Sequence, residues 1–329
     1  MKTPIESTRV RVSECLEQIE AVNESLNAVI TVTGEDALAA AEALDNDAWA
    51  GLLHGMPMVV KDNIDTAGIC STSGARFLAN NIPNRDATVV QRLRRAGAVV
   101  LGKANLHELC FGIRSNNSVA GQCHNPWSPV HIPGGSSGGS GAAVAAGFCV
   151  GALGSDTGGS VRLPASMNGI SGLRPTVGRV PNTGSTPVSL SQDTIGPMAR
   201  RVSDVARIFA VIAGYDASDP MSDGRPLENF LPSLNDGVAG VRIGLPREGY
   251  FEGAEPTVEA AVREAAAVLE EQGAVLVDVD VPEISAMHEW ASVVIFSDAC
   301  SIHGERLRNE PDSIDSDTAV RMRTGFDYT

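Results

Sequence analysis

The spacing of apolar residues along the chain predicts helices that alternate with short strands. From Leu16 to Leu26 the apolar positions lie three or four residues apart, which places them on one face of a helix over residues 13–26. The apolar run 56–60 is instead typical of a buried strand. Similar patterns, with the small residues of 142–148, predict the remaining elements: helices at 35–44, 87–96, 142–148, 202–213 and 256–272, and strands at 28–32, 98–101, 149–153, 241–246 and 274–279. This alternation indicates an α/β fold with a mixed, mainly parallel sheet sandwiched between helices.

Segments without periodicity separate these elements. Residues 112–135 and 169–191 are irregular, and loops that long inside a compact domain are usually functional. The Gly-, Pro- and Asp-rich segment 214–235 is the best internal boundary, and we interpret it as a connector. Because the strand–helix–strand pattern resumes after it, we expect a single domain over residues 1–329 with a parallel sheet that continues across the connector; two independent domains are the alternative. Residues 290–329 are predicted to be helical and polar.

Composition narrows the class of protein. The 329 residues are 43% hydrophobic and carry a net charge of −15. A chain of this size can bury a large core, and its negative charge argues against non-specific binding to nucleic acid or to an anionic membrane. No apolar run is long enough to span a bilayer, and the first 21 residues lack the hydrophobic centre of a signal peptide. The six cysteines show no paired spacing, so we expect reduced thiols in a cytoplasmic protein and no zinc site.

Lysine is scarce in this chain. Among 25 basic residues only Lys2, Lys61 and Lys103 are lysines. Lys61 directly follows the predicted strand 56–60, where a lysine can either extend to solvent or be held as a buried amine. Position alone favours the solvent-exposed alternative, and arginine-rich composition does not explain why these lysines remain.

Two glycine–serine loops lie on either side of a short apolar run between Pro133 and Ser166. They carry more glycine than a turn needs, which leaves backbone amides free to face a developing negative charge. Ser136 lies in the first loop and Ser160 in the second. A helix and a returning strand between the loops would bring the two hydroxyls together.

Four interpretations of these loops compete. A phosphate-binding loop would need a lysine after the glycines, and neither loop has one. The G-x-S-x-G pattern at 134–138 matches a nucleophile elbow, but the proline-rich segment before it does not suit the strand that an elbow requires. A purely structural glycine loop is the default for either loop alone, and the fourth interpretation depends on the surrounding segments.

Taken together, the segments resemble the amidase signature family. The resemblance covers residues 52–216 and is carried by G-M-P-M-V-V-K-D-N-I-D, L-G-K-A-N-L-H-E-L, P-G-G-S-S-G-G-S-G, A-L-G-S-D-T-G-G-S-V-R-L-P-A-S, G-L-R-P-T-V-G-R and D-T-I-G-P-M-A-R. It implies the amidase signature fold, but family members are usually longer than a chain that stops at M-R-T-G-F-D-Y-T. A sheet that is incomplete at the carboxyl end is therefore an open alternative.

The resemblance implies a Ser–Ser–Lys triad. Ser160 would be the nucleophile, Ser136 the bridging serine and Lys61 the base, with the Gly135–Ser136 or Ser136–Ser137 peptide in the cis form. A serine hydroxyl needs a base to take its proton, and burial can lower the pKa of a lysine enough for it to serve. We expect both serine hydroxyls to lie within hydrogen-bond reach of each other. The oxyanion of the tetrahedral intermediate would be stabilised by the backbone amides of Thr157, Gly158, Gly159 and Ser160.

Neighbouring residues are expected to support this triad. Ser137 would support Ser136 by hydrogen bonding, with a purely structural role as the alternative. Asp156 and Arg162 would brace the loop, and Lys103 would be a structural ion-pair partner. None of the six histidines is needed for this chemistry, and the four near the motifs are interpreted as loop or cap residues: His54, His107, His124 and His131. No cluster has metal-ligand spacing, so neither a metal nor another cofactor is expected.

The expected function is that of a serine amidohydrolase. Its substrates would be a small linear carboxamide, or a compound with a related C–N bond, and water. The motif sequences resemble those of free-standing amidases of aryl acetamides and mandelamide more than those of the tRNA amidotransferase subunit. We expect no nucleic acid and no membrane as a partner, and a homodimer is left open. The alternatives are the A subunit of a glutamyl-tRNA(Gln) amidotransferase, acting as a glutaminase, and an inactive or incomplete amidase-like scaffold.

Overall fold

A computed structural model describes residues 7–46, 51–247, 250–281 and 284–328. Its α-helices are α1 (Thr8–Leu26), α2 (Gly34–Asp45), α3 (Thr88–Arg95), α4 (Gly138–Ala145), α5 (Arg162–Asn168), α6 (Val202–Ile212), α7 (Pro256–Glu271), α8 (Ile284–Asn309) and α9 (Ser316–Arg323). Its strands are β1 (Val29–Val32), β2 (Pro57–Lys61), β3 (Val99–Ala104), β4 (Gly151–Asp156), β5 (Ser171–Gly172), β6 (Thr194–Ala199), β7 (Arg242–Pro246) and β8 (Val275–Val279).

Strands β1 to β6 form one sheet in the order β1-β3-β2-β4-β6-β5. The central strand β2 is parallel to both β3 and β4. The outer pairs β1–β3, β4–β6 and β5–β6 are antiparallel. The predicted α/β fold with a mixed sheet is confirmed, and in this sheet the parallel pairing lies at its centre.

Side chains of β2 alternate between two hydrophobic cores, one on each face of the sheet. Val59 belongs to a core that also contains buried residues of α1, α2 and α4. Met58 and Val60 belong to a second core, built with buried residues of α3 and α6. Because successive side chains of a strand point to opposite faces, a strand that is apolar at every position is covered by helices on both sides.

Strand β6 and helix α5 were not predicted from the sequence. The sequence of β6 is T-I-G-P-M-A, and an internal Gly-Pro pair normally argues against a strand. Here Pro197 lies opposite Leu153 of β4, and its carbonyl accepts a hydrogen bond from Leu173. The pairing therefore uses the one backbone group that proline retains.

The described chain divides into two compact units, residues 1–228 with 295–329, and residues 229–294. In the second unit β7 and β8 form a separate two-stranded parallel sheet. The prediction that the main sheet continues across the connector 214–235 is therefore wrong. The strands on either side of α7 pair with each other, and the first part of the connector packs in the first unit, where Thr88 Oγ1 donates to Asp216 Oδ2 at 2.6 Å.

Candidate active site

Lys61 is the last residue of β2 and lies at the edge where the carboxyl ends of β2 and β4 meet. Its side chain is 0% exposed, and Nζ lies 2.7 Å from Ser136 Oγ and 2.8 Å from Ser155 Oγ. The expectation from position alone, a solvent-exposed lysine, is wrong. Because β2 pairs on both sides, a residue at its end is still inside the sheet and points into the protein.

The first glycine–serine loop brings Ser136 to this amine. The Gly135–Ser136 peptide is cis, as one of the two predicted alternatives has it. The carbonyl of Ser136 accepts a hydrogen bond from the His107 amide at 2.9 Å, which ties the loop to the chain that follows β3. Helix α4 then starts directly after Ser137. A Cβ on Gly139 would lie 2.4 Å from the Asn105 amide nitrogen, so only glycine permits this close approach.

Ser160 lies in the second loop, between β4 and α5, and is half-buried. Its carbonyl accepts a hydrogen bond from the Ser137 amide at 3.2 Å, so the two loops are joined through their main chains. Within the described residues the Ser160 hydroxyl forms no hydrogen bond. The Ser136 and Ser160 hydroxyls, which we expected within hydrogen-bond reach of each other, therefore form no hydrogen bond in this structure, although the two loops do lie side by side.

Three of the four predicted oxyanion-hole amides remain available to a ligand. The amides of Thr157, Gly158 and Ser160 donate to no described residue, whereas the Gly159 amide donates to Asp156 Oδ1 at 2.7 Å. Gly159 has φ +137°, a conformation that favours glycine. We therefore narrow the predicted oxyanion donors to the first three amides.

Asp156 holds the second loop in place. Its carboxylate is 0% exposed and also accepts from the Val161 amide at 3.1 Å, from Arg162 Nη2 at 3.0 Å and from Arg174 Nη1 at 2.8 Å. Burial alone would raise the pKa of Asp156, but the hydrogen bonds and charge of Arg162, with Val161 and Arg174, lower it to about 2. Asp156 and Arg162 thus have the bracing geometry that we expected.

Arg174 is a second brace that sequence reasoning missed. Besides Asp156, its Nη1 donates to the Thr157 carbonyl at 2.9 Å, and its Nη2 donates to the Gln192 carbonyl at 2.8 Å. The hydroxyl of Thr157 donates in turn to Asp193 Oδ1 at 2.5 Å. The arginine of G-L-R-P-T-V-G-R was the available signal, but nothing local shows that its partners lie in two other segments.

Three residues around the Lys61 amine were also missed. Ser155 Oγ, on β4, accepts from Asn63 Nδ2 at 3.3 Å and donates to Cys110 Sγ at 3.7 Å. Burial lowers the pKa of Lys61, opposed by the nearby Cys110 and by more distant carboxylates. A lysine with a lowered pKa beside a serine hydroxyl is the arrangement required of a base that accepts a proton from serine.

Ser137 was expected to support Ser136, and its side chain instead contacts Ser155. Ser137 Oγ donates to the Ser155 carbonyl at 3.1 Å and accepts from the Ser155 amide at 3.2 Å. The side chain of Ser137 therefore joins the first loop to β4, next to the residue that contacts the Lys61 amine.

Lys103 lies on β3 and forms the predicted ion pair. Its Nζ is 3.9 Å from Asp62 Oδ1, with both side chains 0% exposed. It also donates to the Ile64 carbonyl at 2.5 Å and to Ser71 Oγ at 2.6 Å, and burial lowers the pKa of Lys103 to about 8. The ion pair therefore fixes the segment that directly follows Lys61.

Two residues after β3 connect the site to the last helix. His107 is buried, and burial, with the nearby charge of Arg321, lowers its pKa to about 4. Glu108 is 0% exposed, and its two oxygens accept from the Ser118 amide at 3.0 Å and the Asp315 amide at 2.7 Å. His107 is thus a neutral residue next to the main chain of Ser136, consistent with a triad that uses no histidine.

Comparison with known proteins identifies the family of this chain. The amidase family profile matches residues 11–326. Two curated relatives bear the name of the A subunit of glutamyl-tRNA(Gln) amidotransferase. The one from Oleidesulfovibrio alaskensis is 46% identical over 82% of this chain and 56% of the relative, and the one from Chloroflexus aggregans is 47% identical over 84% and 58%. The chain thus spans little more than half the length of these relatives.

Solved structures with the same fold extend the comparison. A chain from a vestigial protein complex, studied for the evolutionary origins of an s-triazine catabolic enzyme, superposes with a TM-score of 0.92 at 35% identity, over 97% of this chain and 70% of that one. The native peptide amidase of Stenotrophomonas maltophilia superposes with a TM-score of 0.86 at 33% identity, over 96% and 72%. The described residues contain no helix that is both long and apolar enough to cross a membrane. From its sequence and its fold, this chain belongs to the amidase family.

Proposed function

We propose that this chain hydrolyses a carboxamide through an acyl-enzyme on Ser160. The observation that carries the proposal is the 2.7 Å contact between Lys61 Nζ and Ser136 Oγ, made by an amine with no solvent exposure. Burial lowers the pKa of Lys61 and so favours its neutral form, and only the neutral form has a lone pair that can accept a proton. The adjacent Ser160 loop supplies the second hydroxyl of the relay.

The first half-reaction forms the ester and breaks the C–N bond. The Ser160 hydroxyl turns toward Ser136 and gives it its proton, while Ser136 passes its own proton to Lys61 and Ser160 Oγ attacks the carbonyl carbon. The carbonyl oxygen becomes an oxyanion facing the three available amides, each of which is worth about 3–4 kcal/mol in such a site. The intermediate then collapses, and the proton on Lys61 returns through Ser136 to the departing nitrogen.

The second half-reaction uses water in the reverse sense. Ser136 and Lys61 take a proton from the water that attacks the ester carbonyl, and Ser160 leaves as an alcohol when the proton is returned to it. The products are a carboxylic acid and ammonia or an amine. No redox step is involved, and the chain's own side chains supply every proton transfer.

A second candidate function is that of a glutaminase that supplies ammonia to a tRNA amidotransferase. The observation that favours it is the 46% and 47% identity to curated relatives that bear the name of such a subunit. The chemistry at Ser160 is the same in both cases, and the difference lies in the acyl group and in the need for other subunits. L-Glutamine as the one accepted amide, with ammonia release that increases when amidotransferase partner subunits are added, would support the second function over the first.

The deciding experiment measures ammonia released by the purified chain from acetamide, aryl acetamides, mandelamide and L-glutamine. We expect release from at least one of them, and a mass increase equal to the acyl group on the Ser160 peptide after rapid quenching. Ser160→Ala should abolish both signals. Ser136→Ala and Lys61→Ala should each be severely impaired, with the double variant little worse than either single one because the two act as one relay. Undiminished hydrolysis by folded Ser160→Ala, or a folded wild type inactive on every amide, would refute the proposal.

A further inference from the structure

The Lys61 amine contacts two serine hydroxyls, and the mechanism uses only one of them. Ser155 Oγ lies 2.8 Å from Lys61 Nζ, almost the same distance as Ser136 Oγ at 2.7 Å. A neutral amine has two N–H donors and one lone pair. If the lone pair faced Ser155, Ser136 could not deliver its proton, so the direction of the amine decides whether the relay works.

The contacts of Ser155 fix that direction. A serine hydroxyl has one donor and two acceptor lone pairs. Asn63 Nδ2 donates to one lone pair at 3.3 Å, and Cys110 Sγ accepts the hydroxyl proton at 3.7 Å. The lone pair that remains can only accept from a Lys61 N–H. Ser155 therefore cannot compete with Ser136 as a proton donor to Lys61.

We propose that Ser155, held by Asn63 and Cys110, is the positioning residue that turns the lone pair of Lys61 toward Ser136. The proposal rests on the proposed role of Lys61 as the base. In this arrangement Ser155 acts on the reaction through Lys61, and Cys110 holds Ser155 by accepting its proton. The thiol thus has a hydrogen-bonding role in the resting enzyme.

The scarcity of lysine allows a test that needs no substrate. With lysine labelled by ¹³C at Cε, the chain gives three signals, from Lys2, Lys61 and Lys103, which are assigned with Lys61→Arg and Lys103→Arg. The titration midpoint of the Lys61 signal is then compared between wild type and variants. Cys110, Asp156, Asp193 and His107 are the titratable groups around Lys61, and Ser155→Ala leaves all four in place.

We expect Ser155→Ala to lower the Lys61 midpoint by about one pH unit, because an oxygen acceptor stabilises the ammonium more than the neutral amine. Cys110→Ala should also lower it, because the direct effect by which Cys110 raises the pKa of Lys61 is lost and because the freed Ser155 hydroxyl can turn and donate to the neutral amine. Ser155→Thr keeps the hydroxyl and should restore the wild-type midpoint. Ser140→Ala is the matched control, since this buried hydroxyl donates to the Leu153 carbonyl at 2.9 Å, away from the amine. A Lys61 midpoint in Ser155→Ala that equals the wild-type midpoint would overturn the proposal.

Kinetics on the most reactive amide of the panel provide the second arm. Ser155→Ala should lower kcat by about 10-fold with little change in KM, and Cys110→Ala should lower it less. The double variant should equal Ser155→Ala alone, because Cys110 acts through Ser155. Multiplicative losses would show that the two residues act separately. The two experiments test different claims. Absence of hydrolysis counts against the proposed function, whereas an unchanged Lys61 titration counts against the positioning role alone.

Discussion

Replacing Asp156 by asparagine tests whether one buried carboxylate holds the loop that carries Ser160. The pKa of Asp156 is lowered from 3.8 to about 2, a difference that corresponds to about 2 kcal/mol of folding stability at neutral pH. Asparagine also replaces one carboxylate oxygen by an NH₂ group, which cannot accept the hydrogen bonds that Oδ2 receives from the Val161 amide and from Arg162 Nε. Breaking a buried, hydrogen-bonded charge network of this kind typically costs about 3–5 kcal/mol in total.

The assay is urea unfolding followed by the fluorescence of Trp127, with the other two tryptophans of the chain replaced by phenylalanine. For a slope of about 3 kcal/mol per M urea, the expected loss moves the midpoint down by about 1–1.7 M. Because the folded pKa is depressed, the contribution of about 2 kcal/mol is complete above about pH 4 and is lost as the pH falls toward 2. About half of this contribution should be lost by pH 3. The difference in urea midpoint between wild type and Asp156→Asn should therefore be smaller at pH 3 than at pH 7.

Arg162→Met is the matched control for this prediction. Its side chain is 53% exposed, and exposed members of an ion pair contribute about 0–1 kcal/mol. We therefore expect a much smaller shift in midpoint from Arg162→Met than from Asp156→Asn. Equal shifts in the two variants, or a gap between wild type and Asp156→Asn that stays constant from pH 7 to pH 3, would refute the reasoning.

Three further predictions concern the residues around the site. Arg174→Lys should lower kcat by about 10-fold or more with the fold intact, since a single ammonium cannot replace a guanidinium that holds several acceptors at once; steady-state kinetics with near-UV circular dichroism checks this. His107 has a folded pKa of about 4, so the wild type should lose stability as the pH falls from 6.5 toward 4. In urea titrations at pH 4.5, His107→Gln should remove about 2 kcal/mol of that loss. Lys103 has a folded pKa of about 8, so the unfolded chain binds more protons between pH 8 and 10.5, and the wild type should gain urea stability over Lys103→Met across that range.

The helices and strands could be predicted wherever the local pattern of apolar residues is enough to define the element. Helix α3 and strand β2 were found within one or two residues of their bounds. Strand β6 was missed because Gly196 and Pro197 are poor strand residues. They are held in a strand by pairing with β4 and β5, which the local sequence does not show. The second sheet was misjudged for a related reason, since a local strand–helix–strand unit looks the same in sequence whether it extends a sheet or pairs only with itself.

The motifs predicted the triad residues of the candidate site, but they did not predict the residues that hold the triad and its loops in place. Lys61, Ser136 and Ser160 came from the family resemblance, while the hydrophobic pattern alone placed Lys61 in solvent. Ser155, Cys110 and Arg174 were missed because each acts across a long stretch of sequence. Ser155 meets Lys61 94 positions away, for example, and local patterns carry no record of such a contact.

The contact between Glu108 and the Asp315 amide has a consequence for synthesis on the ribosome. The two residues are separated by 207 positions, and at about 5–20 residues per second the second emerges roughly 10–40 s after the first. Until then one oxygen of Glu108 has no partner, and water must solvate it. The hydrogen bond between Glu108 and the Asp315 amide therefore cannot form before Asp315 has left the ribosome. During that interval the segment next to Ser136, together with Lys61 and the glycine–serine loops, stays hydrated and incompletely folded.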